Sequence, residues 1–482
     1  MTQQVASFRD PAGSCSVIDQ RVFRVLESAS LPEFEAFLKT PSAGRFEKRG
    51  ELVGTKRLDS AEARTLQSKP QWRSSFSVEE PEAVFEHERI PFRSYPYEWP
   101  PEMLWDAGRL TLQLAREVLE DGYGLKDATP YNVLYRGVQP VFIDVPSFRP
   151  RDPHDPVWTA YGQFVRTFLL PLLVNRRWRL PLGDIFRTRR DGMEPQEVYR
   201  LCGLIDRFKP HFFSLVSMPK WLSGSARAKG ERLYEARKVG NSEKAKFILE
   251  NLLGRLNRSL EALRPMDAAQ SKWVGYMNAN SYSHAAFEAK EKFVAEILAE
   301  CRPRRVLDAG ANTGHFSAQA AKTGAEVVAI DSDPACVSRI WARAHSEKLN
   351  VLPLVIDLAR PTPALGWRYQ ECASFLSRST RAFDCVLMLA FIHHLLVNER
   401  VPLREIISLA AELTSAYWVV EFVAPEDQMF RELTRGREAL HDSLTQQVFE
   451  TACGEFFDQV KSRAIPNTQR VLYLFRKKGG HG

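Results

Sequence analysis

The run Val306-Leu307-Asp308-Ala309-Gly310-Ala311-Asn312-Thr313-Gly314-His315 constrains the fold of this 482-residue chain more than any other stretch. It reads as a short buried strand with an acidic residue near its tip, followed by a glycine-rich turn that opens a helix. A backbone passing close beneath a bulky ligand needs glycine, because a Cβ would collide with it. The turn lacks the three spaced glycines of a dinucleotide fingerprint and the Gly-Lys-Ser/Thr of a phosphate loop.

Around this turn, helices and strands alternate. Ala286, Phe287, Phe293, Val294, Ile297 and Leu298 place a helix over 283–300. Strands are expected at 305–309, 326–330, 351–356, 385–389 and 417–422, and helices at 316–322, 334–349, 401–413 and 445–457, with a closing strand pair that ends at 471–475. This alternation specifies a doubly wound, mainly parallel α/β sheet. Ligands of such sheets bind at the carboxyl ends of the strands, near the switch in strand order. Asp308, Asp331 and Asp357 stand at the tips of the first three strands. A single strand-end aspartate commonly caps a turn. Three in register with the glycine turn point to a ligand instead, and a carboxylate beyond the second strand can accept both hydroxyls of a ribose.

This set of residues resembles the class I S-adenosylmethionine-dependent methyltransferases. The resemblance implies a Rossmann-like domain over 271–482 with S-adenosylmethionine as cofactor. It assigns Asp331 to the adenosine ribose, Asp357 to the adenine side, and the loop carrying Asp308, Gly310, Asn312 and Gly314 to the methionine part. Tyr276, just before the first helix, either closes over the methionine end or packs as an ordinary aromatic.

Methyl transfer from a sulfonium requires an aligned nucleophile, a dry site and removal of a proton when the nucleophile is neutral. Nucleic-acid amino methyltransferases carry an Asn/Asp-Pro-Pro-Tyr-like segment after the fourth strand. Here that place reads Leu389-Ala390-Phe391-Ile392-His393-His394-Leu395, and no Pro-Cys nucleophile is present. His393 and His394 stand where a substrate-facing base belongs, and an imidazole accepts a hydroxyl proton near neutral pH. On sequence alone they equally well stack and pack. Glu421, at the end of the fifth strand, is a further candidate for substrate contact, or else a buried, hydrogen-bonded carboxylate.

The amino-terminal half carries Asp127, Asn132 and Asp144 in a spacing that resembles the catalytic loop and metal-binding aspartate of protein-kinase-like and aminoglycoside-phosphotransferase-like folds. The resemblance implies an α+β domain over 1–218, with Asn132 and Asp144 as metal ligands only if that half is an active kinase. Helices are expected at 101–121 and 158–173, with a hairpin-like hinge at 90–99. Residues 1–90 lack a Gly-x-Gly-x-x-Gly loop, so a kinase-like fold without phosphotransfer, or three residues that simply stabilise a hairpin, are the alternatives. Residues 219–270 read as a basic helical linker or hairpin, with a helical pattern through Phe247, Leu249, Leu252, Leu256 and Leu260.

Composition excludes more than it selects. Hydrophobic residues at 44% and charged residues at 26% are ordinary for a globular chain. No apolar run reaches the ~20 residues of a membrane helix, and residues 1–20 contain no apolar leader core. Seven cysteines without metal-like spacing fit reduced thiols and a cytoplasmic location. A net charge of +7 is mild, so an RNA-directed enzyme rests on basic charge alone. Ser7-Phe8-Arg9-Asp10-Pro11, Ser94-Tyr95-Pro96-Tyr97-Glu98-Trp99 and the Lys126-Asp127 loop are joined to the methyltransferase half, and with them the chain resembles, over nearly its full length, bacterial NoeA-type, nodulation-related methyltransferase-like proteins. That resemblance implies a role in modifying a surface glycan or a secreted small molecule; the cofactor residues and the unmatched nucleic-acid motifs point to an O-directed methyltransferase acting on a small molecule or glycan precursor. The rival reading is a cofactor-sensing or kinase-like regulatory protein. No sequence feature sets an oligomeric state.

Overall fold

The computed structural model describes residues 10, 12–76, 78, 80–222, 238–265, 284–436, 441 and 443–479. The chain forms two compact units. The first comprises Met1–Tyr135, Gln139–Met266 and Leu365–Cys372; the second comprises Arg136–Val138, Asp267–Ala364 and Ala373–Gly482.

In the first unit, β1 (Gly13–Ile18), β2 (Arg21–Leu26), β3 (Thr55–Arg57) and β4 (Val84–His87) form an antiparallel sheet in the order β1-β2-β4-β3. Ile18, Phe23 and Val25 of this sheet pack with Leu58, Leu66 and Trp72. Helix Pro101–Glu117 follows, opened by a proline whose missing N–H would be unpaired in the first turn anyway. Next come β5 (Tyr123–Leu125), β6 (Val133–Arg136), β7 (Gln139–Phe142) and β8 (Phe148–Pro150), with β5 paired to β8 and β6 paired to β7. Tyr161–Phe164, the π turn Val165–Leu169 and Leu170–Trp178 run on as one helix.

Two expectations for this half are corrected. Residues 90–99 form no hairpin; they are irregular apart from a tight turn at Pro96–Glu98. Pro91, Pro96 and Pro100 have no N–H to give to a ladder, and the Tyr95 N–H donates to Glu98 Oε2 at 3.1 Å instead. The region 219–270, expected as a basic helical linker or hairpin between the two halves, is grouped with the first unit where it is described. Helix Ser242–Ala262 belongs to the first unit, buries Leu249, Leu253, Leu256 and Leu260, and accepts the Trp105 indole N–H on the Leu260 carbonyl at 3.0 Å. Phe247, expected on its apolar face, is 65% exposed.

The second unit holds a seven-stranded mixed sheet of β9 (Arg305–Ala309), β10 (Glu326–Asp331), β11 (Val351–Val355), β12 (Phe383–Met388), β13 (Thr414–Val423), β14 (Phe457–Ala464) and β15 (Arg470–Lys477). Its order is β11-β10-β9-β12-β13-β15-β14; neighbours from β11 to β13 are parallel, and β15 is antiparallel to both β13 and β14. This is a Rossmann-like sheet whose order switches direction between β9 and β12. Helix His284–Cys301 lays Phe293, Val294 and Ile297 over Val306, Leu387, Val419 and Leu472. β12 begins two residues before its apolar run, because the Asp384 carboxylate accepts the backbone N–H groups of Arg304 and Arg305 at 2.8 and 3.0 Å. The two sheet edges are β11, with Pro353 in its middle, and β14, whose register shifts between Gln459 and Lys461. Among the described residues no helix is long and apolar enough to cross a membrane.

Candidate active site

The carboxyl ends of β9, β10, β11 and β12 surround a cavity of about 220 Å³. Its floor is the turn after β9. The backbone N–H groups of Gly310 and Ala311 both donate to the Ile330 carbonyl at 3.0 Å, pinning the turn to β10. Gly310 has φ +73°, and a Cβ there would lie 2.4 Å from the Phe391 ring. Gly314 has φ +77° and precedes helix His315–Lys322; a Cβ on it would press on Ile340. Asn312 takes the left-handed conformation at φ +50°, which asparagine tolerates better than most residues.

Asp308, Asp331 and Asp357 all line this cavity, each in a distinct environment. Asp308 is buried and accepts the Ser317 hydroxyl at 2.5 Å; burial pushes its carboxyl up to about 6. Asp331 accepts the N–H of Asn312 on one oxygen and that of Asp333 on the other, both at 2.9 Å. Burial outweighs those hydrogen bonds and raises its carboxyl to about 6 as well. Asp357 accepts the Ala359 N–H at 3.0 Å and pairs with Arg360 at 3.0 Å. Tyr276 lies outside the described residues.

The two histidines part company. His394 lines the cavity, 3.4 Å from the Asn398 amide nitrogen, and burial with help from Arg470 lowers its imidazole to about 4. His393 lies behind it with ring centroids 4.3 Å apart, 1% exposed, and neither of its ring nitrogens has a hydrogen-bond partner among the described residues. Burial holds that imidazole far below its usual range and therefore uncharged.

Glu421 is fully buried, with Lys290 Nζ 2.6 Å from Oε2 and Arg470 Nη1 3.1 Å from Oε1. Arg470 also binds both oxygens of Asp427, at 2.8 and 2.9 Å. Two cations thus meet two carboxylates, and of the four residues only Lys290 lines the cavity. Sequence reasoning missed Lys290 and Arg470. A signal was present for the first: Lys290 interrupts the stripe Ala286, Phe293, Val294 and Ile297 on the buried face of its helix. A lysine in such a stripe needs a buried partner. Phe391, which closes on Gly310, was likewise not picked out.

In the first unit, Asn132 Nδ2 lies 3.3 Å from Asp144 Oδ2, and the Ser147 hydroxyl donates to the same oxygen at 2.6 Å. Arg24 Nη2 is 3.7 Å from Asp144 Oδ1, and Arg24 also pairs with Asp10 at 2.7 Å. Among the described residues, Asp127 pairs with the neighbouring Lys126 at 3.7 Å. Among the described residues no group of three or more His, Cys, Asp or Glu side chains is arranged to hold a metal ion.

The sequence signature of a family described as "Methyltransferase domain" matches residues 282–454, a range that contains every residue lining the cavity. The chain is 31% identical over 474 residues, 98% of its length and 95% of its relative's, to nodulation protein NoeA of Rhizobium meliloti strain 1021. Among solved structures, the N-methyltransferase NodS from Bradyrhizobium japonicum WM9 matches with a TM-score of 0.31 and 14% identity, over 40% of this chain and 98% of NodS. Magnesium protoporphyrin IX methyltransferase from Synechocystis PCC 6803 matches with a TM-score of 0.31 and 16% identity, over 43% of this chain and 93% of that one. With the methyltransferase signature spanning the cavity and a relative matching end to end, the chain is an S-adenosylmethionine-dependent methyltransferase that belongs to the same family as NoeA.

Proposed function

We propose that the methyl acceptor is an oxygen atom of a small molecule or glycan precursor, reached in the cytoplasm. The observation that carries this reading is the segment after β12: an apolar turn, Leu389-Ala390-Phe391, followed by an uncharged imidazole, His394, in the cavity wall. Nothing there resembles the polar clamp that nucleic-acid amino methyltransferases place on a base.

The cavity suits the cofactor by its own chemistry. Asp331 spends one backbone hydrogen bond on each oxygen, and a carboxylate oxygen accepts more than one, so both can also take ribose hydroxyls. Asp357 borders the adenine side, and the Gly310 backbone passes where a side chain would not fit. Bound there, S-adenosylmethionine supplies an electrophilic methyl group on a sulfonium.

The chain's own groups do the rest. His394 receives the acceptor's hydroxyl proton. A base this weak takes the proton late, as the new C–O bond makes the oxygen acidic. Glu421 acts through Lys290, holding its ammonium at the cavity wall, while His393 backs His394 and keeps water from that side.

The test is to incubate the full chain with methyl-labelled cofactor and fractionated cell extract. Label is expected in the glycan or small-molecule fraction as a base-stable ether. Label in the RNA or protein fraction would overturn the reading.

For the first unit we propose a kinase-like fold that recognises substrate or nucleotide without transferring phosphate. Asn132 meeting Asp144 supports the likeness, and Arg24 with Ser147 at Asp144 supports the loss of transfer. Nucleotide-dependent thermal stabilisation that vanishes in Asp144→Ala is the expected result. Phosphate transfer to any acceptor would sink the second half of the claim.

A further inference from the structure

Eight of the seventeen large apolar side chains exposed among the described residues fall within 201–222 of the first unit. Leu204, Ile205 and Phe208 are 74%, 80% and 67% exposed, and Phe213, Trp221 and Leu222 are exposed a few residues on, with the Phe213 and Trp221 rings 5.8 Å apart. Single exposed apolar residues need no explanation, but a contiguous cluster marks an interaction surface.

The local structure makes the exposure deliberate. From Pro210 the chain runs as one helix through residue 222, with a π turn at Phe213–Ser217. Phe212, Leu215 and Val216 supply its buried stripe. Phe213, Met218, Trp221 and Leu222 put large apolar groups on the outward side as well, beside exposed His211 and Ser214. A helix with apolar groups on both its buried and its outward side expects cover on the second.

Charge says what kind of cover. Residues 199–222 carry Arg200, Arg207, Lys209 and Lys220 against Asp206 alone, a net of +3. Asp206 is itself bridged by Lys209 at 2.6 Å and by Arg177 at 3.1 Å. The Arg207 and Lys220 cations lie 4.2 and 5.0 Å from the centre of the Tyr199 ring, so the basic groups are interleaved with aromatic ones. Aliphatic and aromatic side chains ringed by long basic ones are the composition of a surface that lies in a lipid headgroup layer: the apolar groups enter the acyl boundary, and the cations stay with anionic headgroups.

We propose that residues 201–222 form a peripheral membrane-binding surface for an anionic lipid bilayer. The inference stands apart from the choice of methyl acceptor, and its test involves no methyl transfer.

The full chain is sedimented with phosphatidylcholine vesicles and with mixed phosphatidylcholine and phosphatidylglycerol vesicles. Binding to the mixed vesicles is expected to be about tenfold stronger or more, and to weaken as salt is added. The variant Leu204→Ser/Ile205→Ser/Phe208→Ser, whose changes are all at exposed positions, should melt like the parent and bind the mixed vesicles roughly tenfold less. Lys209→Glu/Lys220→Glu should lose the preference for the anionic lipid while keeping the apolar residues. Equal binding to both vesicles, binding to neither, or an unchanged triple variant overturns the proposal. A parent dimer that the triple variant converts to monomer also overturns it, and assigns the patch to a second copy of the chain.

Discussion

At the tip of β10, Asp331 accepts two backbone N–H groups and borders an open cavity; after β7, Asp144 accepts a hydroxyl and an amide and faces a buried arginine. Burial raises both carboxyls above their ordinary range. The difference lies in the neighbours. Backbone N–H groups orient Asp331 without neutralising it, which leaves its charge and remaining lone pairs for a ligand. Arg24 supplies Asp144 with a counter-charge from within the protein. A carboxylate at a strand end is therefore an invitation to a ligand in one unit and part of a settled ion pair in the other.

The largest expected effect tests that contrast directly. Glu421→Ala leaves Lys290 buried without its carboxylate and Arg24→Ala leaves Asp144 without its arginine, so each should cost about 3–5 kcal/mol in urea unfolding. Only Glu421→Ala should also weaken cofactor binding, since Lys290 lines the cavity. If Arg24→Ala weakens it equally in calorimetry, the two constellations are not independent and the contrast fails.

Next in size, His394→Ala should lower kcat about a hundredfold while leaving the cofactor Kd nearly unchanged. A loss confined to Kd would make His394 a wall residue and nothing more. Gly310→Ala puts a Cβ into the Phe391 ring at positive φ, and the combined strain of about 1–3 kcal/mol should weaken cofactor binding roughly tenfold to hundredfold. Wild-type affinity in that variant would mean that Phe391 moves aside freely.

Asp331 gives the contrast a pH signature. Its carboxyl, raised to about 6, keeps a proton below that pH in the ligand-free chain. Cofactor affinity should fall as the pH drops through about 6, and Asp331→Asn should be weaker and flat across the same range. Stability runs the other way. A raised folded-state pKa contributes fully below the unfolded value of about 4 and is lost as pH rises through the folded one. Smallest of all, Asp127→Ala removes one partly exposed pair and should shift stability by no more than about 0.5 kcal/mol. A larger loss would reveal a role in the first unit that its present partners do not explain.

The methyl-donor half was legible because its signals are local. A strand, a tip carboxylate and a glycine at positive φ follow one another within ten residues, and each carries its own physical reason. Lys290 and Arg470 come from opposite ends of the unit and meet on Glu421: the break in the apolar stripe marks Lys290 as needing a buried partner, but no spacing records which residue that is. The 90–99 segment misled for a different reason: its aromatic alternation imitates a strand, and Pro91 and Pro96 within it, with Pro100 just after, overrule it. The apolar surface at 201–222 has no single period, since it starts in irregular chain and a π turn shifts the register of the helix that follows, so only exposure discloses it.

Pro353 and the register shift in β14 bear on what happens when many copies of this chain are crowded together. A seven-stranded sheet with bare edges would be a template for endless strand addition. One edge instead offers a strand short of an N–H, and the other a strand kinked between Gln459 and Lys461 and studded with Asp458, Lys461 and Arg463. Both ends of the sheet are guarded against fibrillar growth, which leaves the chain able to carry sticky apolar groups elsewhere without risking polymerisation through its own backbone.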